Sequence, residues 1–394
     1  MILLLGALTA SGPLSIDMYL PALPAIGRSL HATPAAMQQT VAAFFIGMAA
    51  GQLVYGPLSD RVGRRPPLLF GLILYAAASA GCALAQSEMW LIGLRVAQAL
   101  AGCAGMVIAR AIVRDRFHYN EVLHIFSLLS LVMGLAPILA PLLGGWLLAV
   151  AGWRWIFGLQ AVFGGVAAVA AFMLLPESRS EATLQQARGE HPLQSYLALL
   201  RQPRLVGFVL TGAFSGAALF TYVAASPDIL IGVFHVPPSQ FGLFFGVNAF
   251  GLIGATQINA RLARRVPFEV ILQWANIAVF AAAVLLAIDA VTGFGGLWGV
   301  MVPMFLVMAS FGFNQSNATV GALGVDPLRT GAISSLFGAA SFAAGATAAA
   351  AAGAFRDGTA RPMAFVIVGA LLCAVVTLRT LAPVHGAGRR GRRA

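Results

Sequence analysis

Twelve long apolar runs, separated by short polar loops, constrain the fold of this chain more than any other feature. Its 394 residues are 59% hydrophobic and 9% charged, whereas a soluble domain is about half apolar and about a quarter charged. Because so few charged groups could not cover the surface of a folded protein in water, most of the surface of this chain must face lipid. Transmembrane strands would alternate apolar and polar residues. That alternation is absent, which predicts an all-α membrane protein.

The apolar runs predict two pseudo-symmetric halves of six helices each. The predicted spans are residues 2–25, 35–57, 66–86, 89–113, 121–149 and 154–175, then 204–227, 239–261, 267–289, 294–318, 329–353 and 362–383. The predicted organisation is therefore a first half (1–176), a linker (177–203), a second half (204–384) and a basic tail (385–394). The N-terminal run lacks basic residues and a cleavage signal, so we interpret it as the first span.

Basic residues predict the orientation in the membrane. All 24 are arginine, and the spans place eighteen in loops and tail on one side against four on the other. The positive-inside rule makes the richer side cytoplasmic, together with both termini and the linker. The net charge of +11 is thus a topology signal, and we expect no nucleic-acid partner. The three cysteines lie singly in apolar runs, which predicts no disulfide, metal site or cofactor.

The loop from Gly56 to Pro66 concentrates charge between two apolar runs. When the sequence is aligned with itself at an offset of 200 residues, residues 61–65 match residues 261–265. Each segment has arginine at its first position and at its last two positions, but the position that matches Asp60 is Ala260. Such a duplication of six spans is typical of transporters, whose substrate site lies near mid-membrane between the repeats.

Four stretches resemble signatures of one known family, the major facilitator superfamily. The loop Gly56–Pro66 resembles its motif A, Leu94–Gly102 its motif B, and Gly134–Gly145 its motif C, the antiporter motif. Ile16–Pro24 resembles the first-helix signature of the Bcr/CflA drug-resistance subfamily. The resemblance implies a proton-driven exporter of small drug-like or antibiotic molecules in the bacterial inner membrane. We expect a monomer working by alternating access.

Asp17 and Arg95 are the predicted proton-coupling residues. An acid deep in an apolar span is costly and is rare without a function, so Asp17 is the candidate proton carrier. Arginine keeps its charge, so Arg95 would influence the acid or hold a substrate oxygen. The alternative interpretations are a fixed Asp17–Arg95 pair, or an arginine held by backbone carbonyls.

The remaining candidates fall into three groups. Aromatic and neutral amide side chains suit an apolar, weakly polar cargo. The predicted cavity residues are Tyr19, Gln98, Phe220, Tyr222, Asn248, Asn314 and Gln315.

In the charged loop, Asp60 could accept a hydrogen bond from the backbone at the start of span 11 and so latch the halves together. The predicted latch residues are Gly56, Asp60, Arg61, Gly63, Arg64 and Arg65. Proline bends helices and glycine allows close packing, which predicts a gate helix at Gly134, Pro137, Pro141, Gly144 and Gly145.

Two other functions compete with drug export. A facilitator or symporter of the same fold would carry a metabolite such as a sugar or amino acid; a facilitator would have more polar cavity residues and would not need Asp17. An intramembrane enzyme would need a catalytic histidine pair, a Ser-His pair or a metal cluster, which the predicted spans lack. A phosphate-binding loop requires a lysine, and the chain has none, so ATP-driven transport by this chain alone is excluded.

Overall fold

The computed structural model describes residues 1–117, 119–178 and 192–383. Within these residues, twelve helices or helix pairs are long and apolar enough to cross a membrane. This confirms the predicted all-α membrane fold. The basic tail and the middle of the predicted linker lie outside the described residues, and the division into halves stays a prediction.

The helices are numbered here in chain order. They are α1 (Ile2–Asp17), α2 (Leu23–Leu30), α3 (Pro34–Val62), α4 (Arg65–Ala83), α5 (Glu88–Arg116), α6 (Tyr119–Val150), α7 (Trp153–Leu174), α8 (Pro192–Leu200), α9 (Pro203–Pro227), α10 (Pro238–Leu262), α11 (Phe268–Thr292), α12 (Gly296–Leu323), α13 (Thr330–Ala354) and α14 (Arg361–Leu381). Helices α1 and α2 together form the first span. Helix α8 is a short helix in the predicted linker.

The first span is interrupted immediately after Asp17. A 3-10 turn, Leu20–Ala22, separates α1 from α2. Proline has no N–H and clashes with the carbonyl four residues earlier, and for Pro21 that carbonyl belongs to Asp17. Helix α1 therefore ends at the candidate proton carrier, where the negative end of the helix dipole lies. The predicted first span is present as one candidate membrane span, Ile2–Leu30, and the structure adds the break within it.

Several spans are longer than the apolar runs predicted. Helix α3 continues to Val62 instead of residue 57, and the seventh span continues through a π-helical turn, Asp228–Val233, instead of ending at 227. The extra turn of α3 carries Arg61, a cation that is favourable near the negative end of a helix dipole. Hydropathy marks where the hydrocarbon ends, and charged ends let a helix extend beyond it.

The two ends of the bundle differ in charge. We call the end that carries Arg64, Arg116 and Arg264 the arginine-rich face, and the end that carries His31 and Asp357 the arginine-poor face.

Glycines set how closely the helices of the first half approach. A Cβ on Gly47 of α3 would meet the Val96 carbonyl of α5, and a Cβ on Gly51 would lie 2.5 Å from the Cβ of Cys103. Membrane helices lack a hydrophobic drive to associate, so close backbone packing supplies much of their attraction. Helix α5 is consequently buried between α3, α4 and α1.

The most extensive contacts between the predicted halves, within the described residues, are those of α3 with α13 and of α6 with α10. Along the first pair, a Cβ on Gly338 would lie 2.9 Å from the Gln52 amide, and one on Gly56 would lie 2.9 Å from Ser335 Oγ. Near the arginine-poor face, a Cβ on Gly353 would lie 3.0 Å from Gln38 Oε1. Helices α3 and α13 are thus tightly packed from one face to the other.

Replacing Gly47 with Ala should destabilise the protein by about 1–3 kcal/mol, because the added methyl group forces α3 away from α5. The measurement is thermal unfolding of the detergent-solubilised protein followed by circular dichroism. Gly93→Ala in α5 is the matched control, since a Cβ there meets nothing within 4 Å and alanine favours a helix over glycine by about 1 kcal/mol. Equal shifts for the two variants would contradict the close-packing account.

Candidate functional site

Asp17 lies at the end of α1, where only 6% of the residue is exposed. No cation among the described residues lies within ion-pair distance of its carboxylate. Its electrostatic neighbour is the hydroxyl of Tyr222 in α9. An unpaired carboxylate in an apolar interior is unfavourable when ionised, and the adjacent dipole end opposes its charge further. The site therefore favours a carboxyl group that binds a proton readily.

Arg95 is fully buried in α5, and its contacts lie in the first half. Its Nη1 donates to the Ser15 carbonyl at 3.0 Å and to Gln98 Oε1 at 2.6 Å. The guanidinium lies over the rings of Tyr19 and Phe44, 4.1 and 4.2 Å from their centroids. Such cation–π contacts contribute about 2 kcal/mol each when desolvated. They offset part of the cost of burying this charge.

Two predicted alternatives for Arg95 can be compared with this geometry. The fixed pair with Asp17 is not present among the described ion pairs, whereas the contact with a backbone carbonyl is. Its Nε and Nη2 have no hydrogen-bond acceptor within the described residues. Arg95 therefore retains donor capacity on Nε and Nη2, and its backbone contact, Ser15, lies two residues before Asp17 in α1.

Gln98 lies inside the first half and not between the halves. Its Nε2 donates to Ser79 Oγ and to Gln160 Oε1, both at 2.8 Å, while Ser15 and Tyr75 share a hydrogen bond of 2.6 Å. These side chains connect α1, α4, α5 and α7 into one polar network. The predicted cavity residues Gln98 and Tyr19 are both fully buried in it. Sequence reasoning missed Ser79, Tyr75 and Gln160, although each is a polar residue inside an apolar span, the first two in α4 and the third in α7.

In the second half, Tyr222 is the neighbour of Asp17 and is hydrogen-bonded to Asn248. Asn248 Nδ2 donates to the Tyr222 hydroxyl at 2.7 Å, and the Tyr222 ring stacks on Phe245 with centroids 5.5 Å apart. Asn248 Oδ1 is buried without a hydrogen-bond partner in the described structure. The carboxyl group of one predicted half and a polar pair of the other thus meet in the interior.

Phe220 of α9 belongs to an aromatic group between the predicted halves. Its ring lies 4.5 Å from Phe45 of α3 and 5.0 Å from Phe342 of α13, between centroids. The three aromatic rings join both predicted halves.

Asn314 and Gln315, the other predicted cavity residues, follow each other on α12 and differ in environment. Asn314 is fully buried, accepts from Asn276 Nδ2 at 3.3 Å and donates to Ser215 Oγ at 3.5 Å. Gln315 is half-buried, and its Oε1 has no hydrogen-bond partner in the described structure. Asn314 thus links helices, while Gln315 keeps an acceptor available.

On the arginine-rich face, Arg64 is the centre of an ionic cluster. Its Nη1 donates to Asp60 Oδ1 at 2.7 Å and to Ser59 Oγ at 2.8 Å, and its Nε donates to Asp115 Oδ2 at 2.8 Å. Burial acts to lower the pKa of Arg64, but hydrogen bonds and charge from Asp115 and Asp60 outweigh it, so the pKa is raised. Arg64 therefore fixes the loop to the ends of both α3 and α5.

Glu177 caps the N-terminus of α4, a role the sequence analysis did not foresee. Its carboxylate accepts from the backbone N–H groups of Arg64 at 2.9 Å and Arg65 at 3.0 Å. Gly63 is required beside it, since its φ is +96° and a Cβ would lie 2.6 Å from Glu177 Oε2. An anion is favourable at a helix N-terminus. The available signal was an acid right after span 6, on the same side as the arginine loop.

Arg65 and Arg61 complete the predicted latch residues. Arg65 Nη2 donates to the Phe172 carbonyl at 2.6 Å, and its guanidinium lies 5.0 Å from the Phe172 ring centroid. Arg61 belongs to the last turn of α3. The loop is thereby fixed to the end of α7.

The linker helix α8 reaches the same region. Tyr196 donates its hydroxyl proton to the Leu53 carbonyl at 3.4 Å and lies close to both Asp60 and Ser335. Since Leu53 belongs to α3 and Ser335 to α13, this linker residue contacts both predicted halves. Its contacts lie beside the predicted latch.

The predicted gate helix is α6, a continuous helix with Pro137 and Pro141 inside it. Gly144 leaves no room for a Cβ against the Met18 carbonyl, at the break in the first span. A Cβ on Gly145 would lie 2.9 Å from the Pro238 carbonyl, and one on Gly134 would lie 3.3 Å from Ile253, both in α10. The predicted close packing of α6 is therefore present, and gating by this helix stays a prediction.

This combination of twelve membrane helices and a buried acid between two helix sets is the architecture of a membrane transporter. The family model described as Major Facilitator Superfamily matches residues 5–352, and the chain belongs to that superfamily. The resemblance inferred from the four sequence motifs is thus confirmed.

Similar sequences carry drug-resistance names. A bicyclomycin resistance protein homolog of Haemophilus influenzae is 32% identical over 379 residues, covering 95% of this chain and 94% of the relative. A chloramphenicol resistance protein of Pseudomonas aeruginosa is 32% identical over 325 residues, covering 82% of this chain and 76% of the relative. These names agree with the predicted Bcr/CflA-type subfamily.

Solved structures support the fold. A crystal structure of a D-xylose-proton symporter has a TM-score of 0.74 at 12% identity, covering 96% of this chain and 97% of the other. One of the nucleoside transporter NupG has a TM-score of 0.73 at 14% identity, with coverage of 97% and 98%.

Replacing Glu177 with Ala should lower the unfolding free energy by about 0.5–1 kcal/mol, because an exposed carboxylate leaves the N-terminus of α4. The measurement is the thermal midpoint in detergent at low and high salt, where screening should shrink the difference. Glu177→Gln, which keeps an acceptor oxygen but not the charge, should lose less. A wild-type midpoint for the Ala variant would refute the capping role.

Proposed function

We propose that this protein is a proton-coupled multidrug antiporter, which exports small toxic or antibiotic molecules by alternating access. The observation that carries the proposal is Asp17, a buried carboxyl group without an ion-pair partner among the described residues, facing Tyr222 of the other half. The names of the similar bicyclomycin and chloramphenicol resistance proteins support drug-like cargo. A facilitator would have no need to keep an acid in this position.

The proposed cycle uses Asp17 as the proton carrier. Proton binding neutralises the carboxyl group, which removes the cost of keeping its charge in an apolar interior. Release of the proton restores an anion that needs a partner, and the unused donors of Arg95 are the available cationic ones in the first half. We therefore assign Arg95 a positioning role, stabilising the deprotonated state without carrying the proton.

The proposed cargo site lies between the halves, next to Asp17. The aromatic group Phe45, Phe220 and Phe342 offers ring faces, and Asn248 offers a buried oxygen that lacks a donor. This combination suits an apolar, drug-sized molecule with a hydroxyl or amide N–H. One chain contributes both walls, so a monomer is sufficient.

We assign the arginine-rich face to the cytoplasm of a bacterial cell, across the inner membrane. The positive-inside rule supports this assignment, and it puts both termini in the cytoplasm. The loop around Arg64, Asp60 and Tyr196 would then control the inner entrance. Breaking the contacts of Gly56 with Ser335 is the proposed event that opens it.

Asp17→Asn should insert normally but lose drug transport driven by a pH gradient, because an amide cannot bind and release the proton. The measurement is uptake of radiolabelled chloramphenicol into inverted membrane vesicles with and without the gradient. Drug exchange without a gradient should persist, since the cargo contacts remain.

The matched control is Asp357→Asn, a neutralised acid in an exposed loop of the arginine-poor face. This variant should transport like the wild type. Gradient-driven uptake by the Asp17 variant at the wild-type rate would overturn the carrier assignment.

Orientation can be measured with single cysteines introduced into a background without Cys82, Cys103 and Cys373. In intact spheroplasts, a membrane-impermeant maleimide should label Thr359→Cys on the arginine-poor face. It should leave Ser178→Cys on the arginine-rich face unlabelled until the cells are broken. The reverse pattern would invert the assigned topology.

A further inference from the structure

A cavity opens between the halves at the arginine-poor face, away from the predicted mid-membrane site. Its volume is about 540 Å³, and residues of α2, α3, α9 and the loop after α13 line it. The two sides come from different predicted halves, with Met37 and Gln38 on one and Ala224 and Asp228 on the other. Its size lies within the range of small-molecule sites, about 300–1,000 Å³.

One buried polar side chain in its wall lacks a protein partner. Gln38 is 4% exposed, its Oε1 has no hydrogen-bond partner in the described structure, and no hydrogen bond of its amide nitrogen is present there either. An unpaired buried amide costs about 1–3 kcal/mol. Oε1 lies against Gly353 of α13, so a ligand hydroxyl or amide oxygen in the cavity would pair with Gln38 by accepting a hydrogen bond from its amide nitrogen.

An ion pair balances the charge of the far wall. Arg356 donates to Asp228 through Nε at 2.7 Å and Nη2 at 2.9 Å, which fixes the loop after α13 to the end of the seventh span. The rim carries two further basic side chains, Arg28 and His31, both exposed. With the single acid of the lining already paired, the rim disfavours cationic ligands.

Leu23, Pro24 and Met37 make the interior mostly apolar. From this chemistry we propose that the cavity is a second cargo site on the outer surface, which receives an uncharged amphiphile after it leaves the mid-membrane site. The ligand has an apolar body and a hydroxyl or amide that bonds to Gln38. The assignment as an outer, export-side site rests on the proposed function.

The cavity is tested by protection of a cysteine in its wall. Ala32→Cys is introduced into the background without native cysteines and is labelled in spheroplasts with a membrane-impermeant maleimide. Labelling is repeated in the presence of chloramphenicol, the uncharged probe, and of ethidium, the cationic probe. Because such a pocket buries most of its ligand, chloramphenicol should slow the labelling of this cysteine at least about fivefold. Ethidium should leave the labelling rate unchanged. Adding Gln38→Leu should weaken chloramphenicol protection by about fivefold to tenfold, as one hydrogen bond is lost.

Ala151→Cys, an exposed position in another loop of the same face, is the matched control and should be labelled equally with or without the probe. If Ala32→Cys resists labelling while Ala151→Cys reacts, the cavity is closed to the outside and the proposal is wrong. Equal labelling with and without chloramphenicol, protection by ethidium, or unchanged protection with Gln38→Leu would also overturn it.

A further variant separates this proposal from the proposed function. Protection of Ala32→Cys should persist with Asp17→Asn, since the cavity does not include Asp17. Loss of protection there would mean that the probe acts from the mid-membrane site, which refutes a separate cavity site. Persisting protection in a protein that fails to export chloramphenicol would leave the cavity site standing and remove the export function.

Discussion

The cost of placing polar groups in hydrocarbon governs this molecule. Backbone groups meet that cost by helix formation, and helices then associate through close contacts at small residues such as Gly47 and Gly51. The side chain of Arg95 meets it with a carbonyl, an amide and two aromatic faces. The carboxyl group of Asp17 has no ion pair among the described residues that would offset the cost of burying its charge. The acid can lose this charge by binding a proton, whereas the arginine keeps its own.

The break in the first span connects sequence to chemistry. Pro21 denies the Asp17 carbonyl its usual helical donor, so α1 ends at this residue and its carboxyl group lies at a helix terminus. The same break brings the Met18 carbonyl against Gly144 of α6. The candidate proton carrier therefore neighbours, along the chain, a residue that packs directly against the predicted gate helix, and in the proposed cycle a change in its charge would act next to the packing of α6.

Much of the fold and several of the candidate site residues could be predicted from the sequence. Hydropathy gives the twelve spans because lipid imposes both length and composition, and the motifs identify Asp17, Arg95 and the arginine loop. The role of Glu177 and the inward position of Gln98 could not be predicted, because both depend on which helix faces lie together. Gln98 shares one face of α5 with Arg95, and only packing against α4 and α7 shows that this face points into the first half. Helix α8 was missed because a short, partly polar helix gives a weak periodic signal.

The tight packing of α3 on α13 has a mechanical consequence. Contacts at Gln38 and Gly56 are eighteen positions apart, which is about 27 Å along a helix, and the contact of Gln52 with Gly338 lies between them. In the proposed alternating-access cycle, a stiff pair of helices in contact at these three levels would pivot about the contact of Gln52 with Gly338, so separation at one face would press the helices together at the other. The two faces would then not open together, and the helix pair itself would keep protons from leaking through both entrances at once.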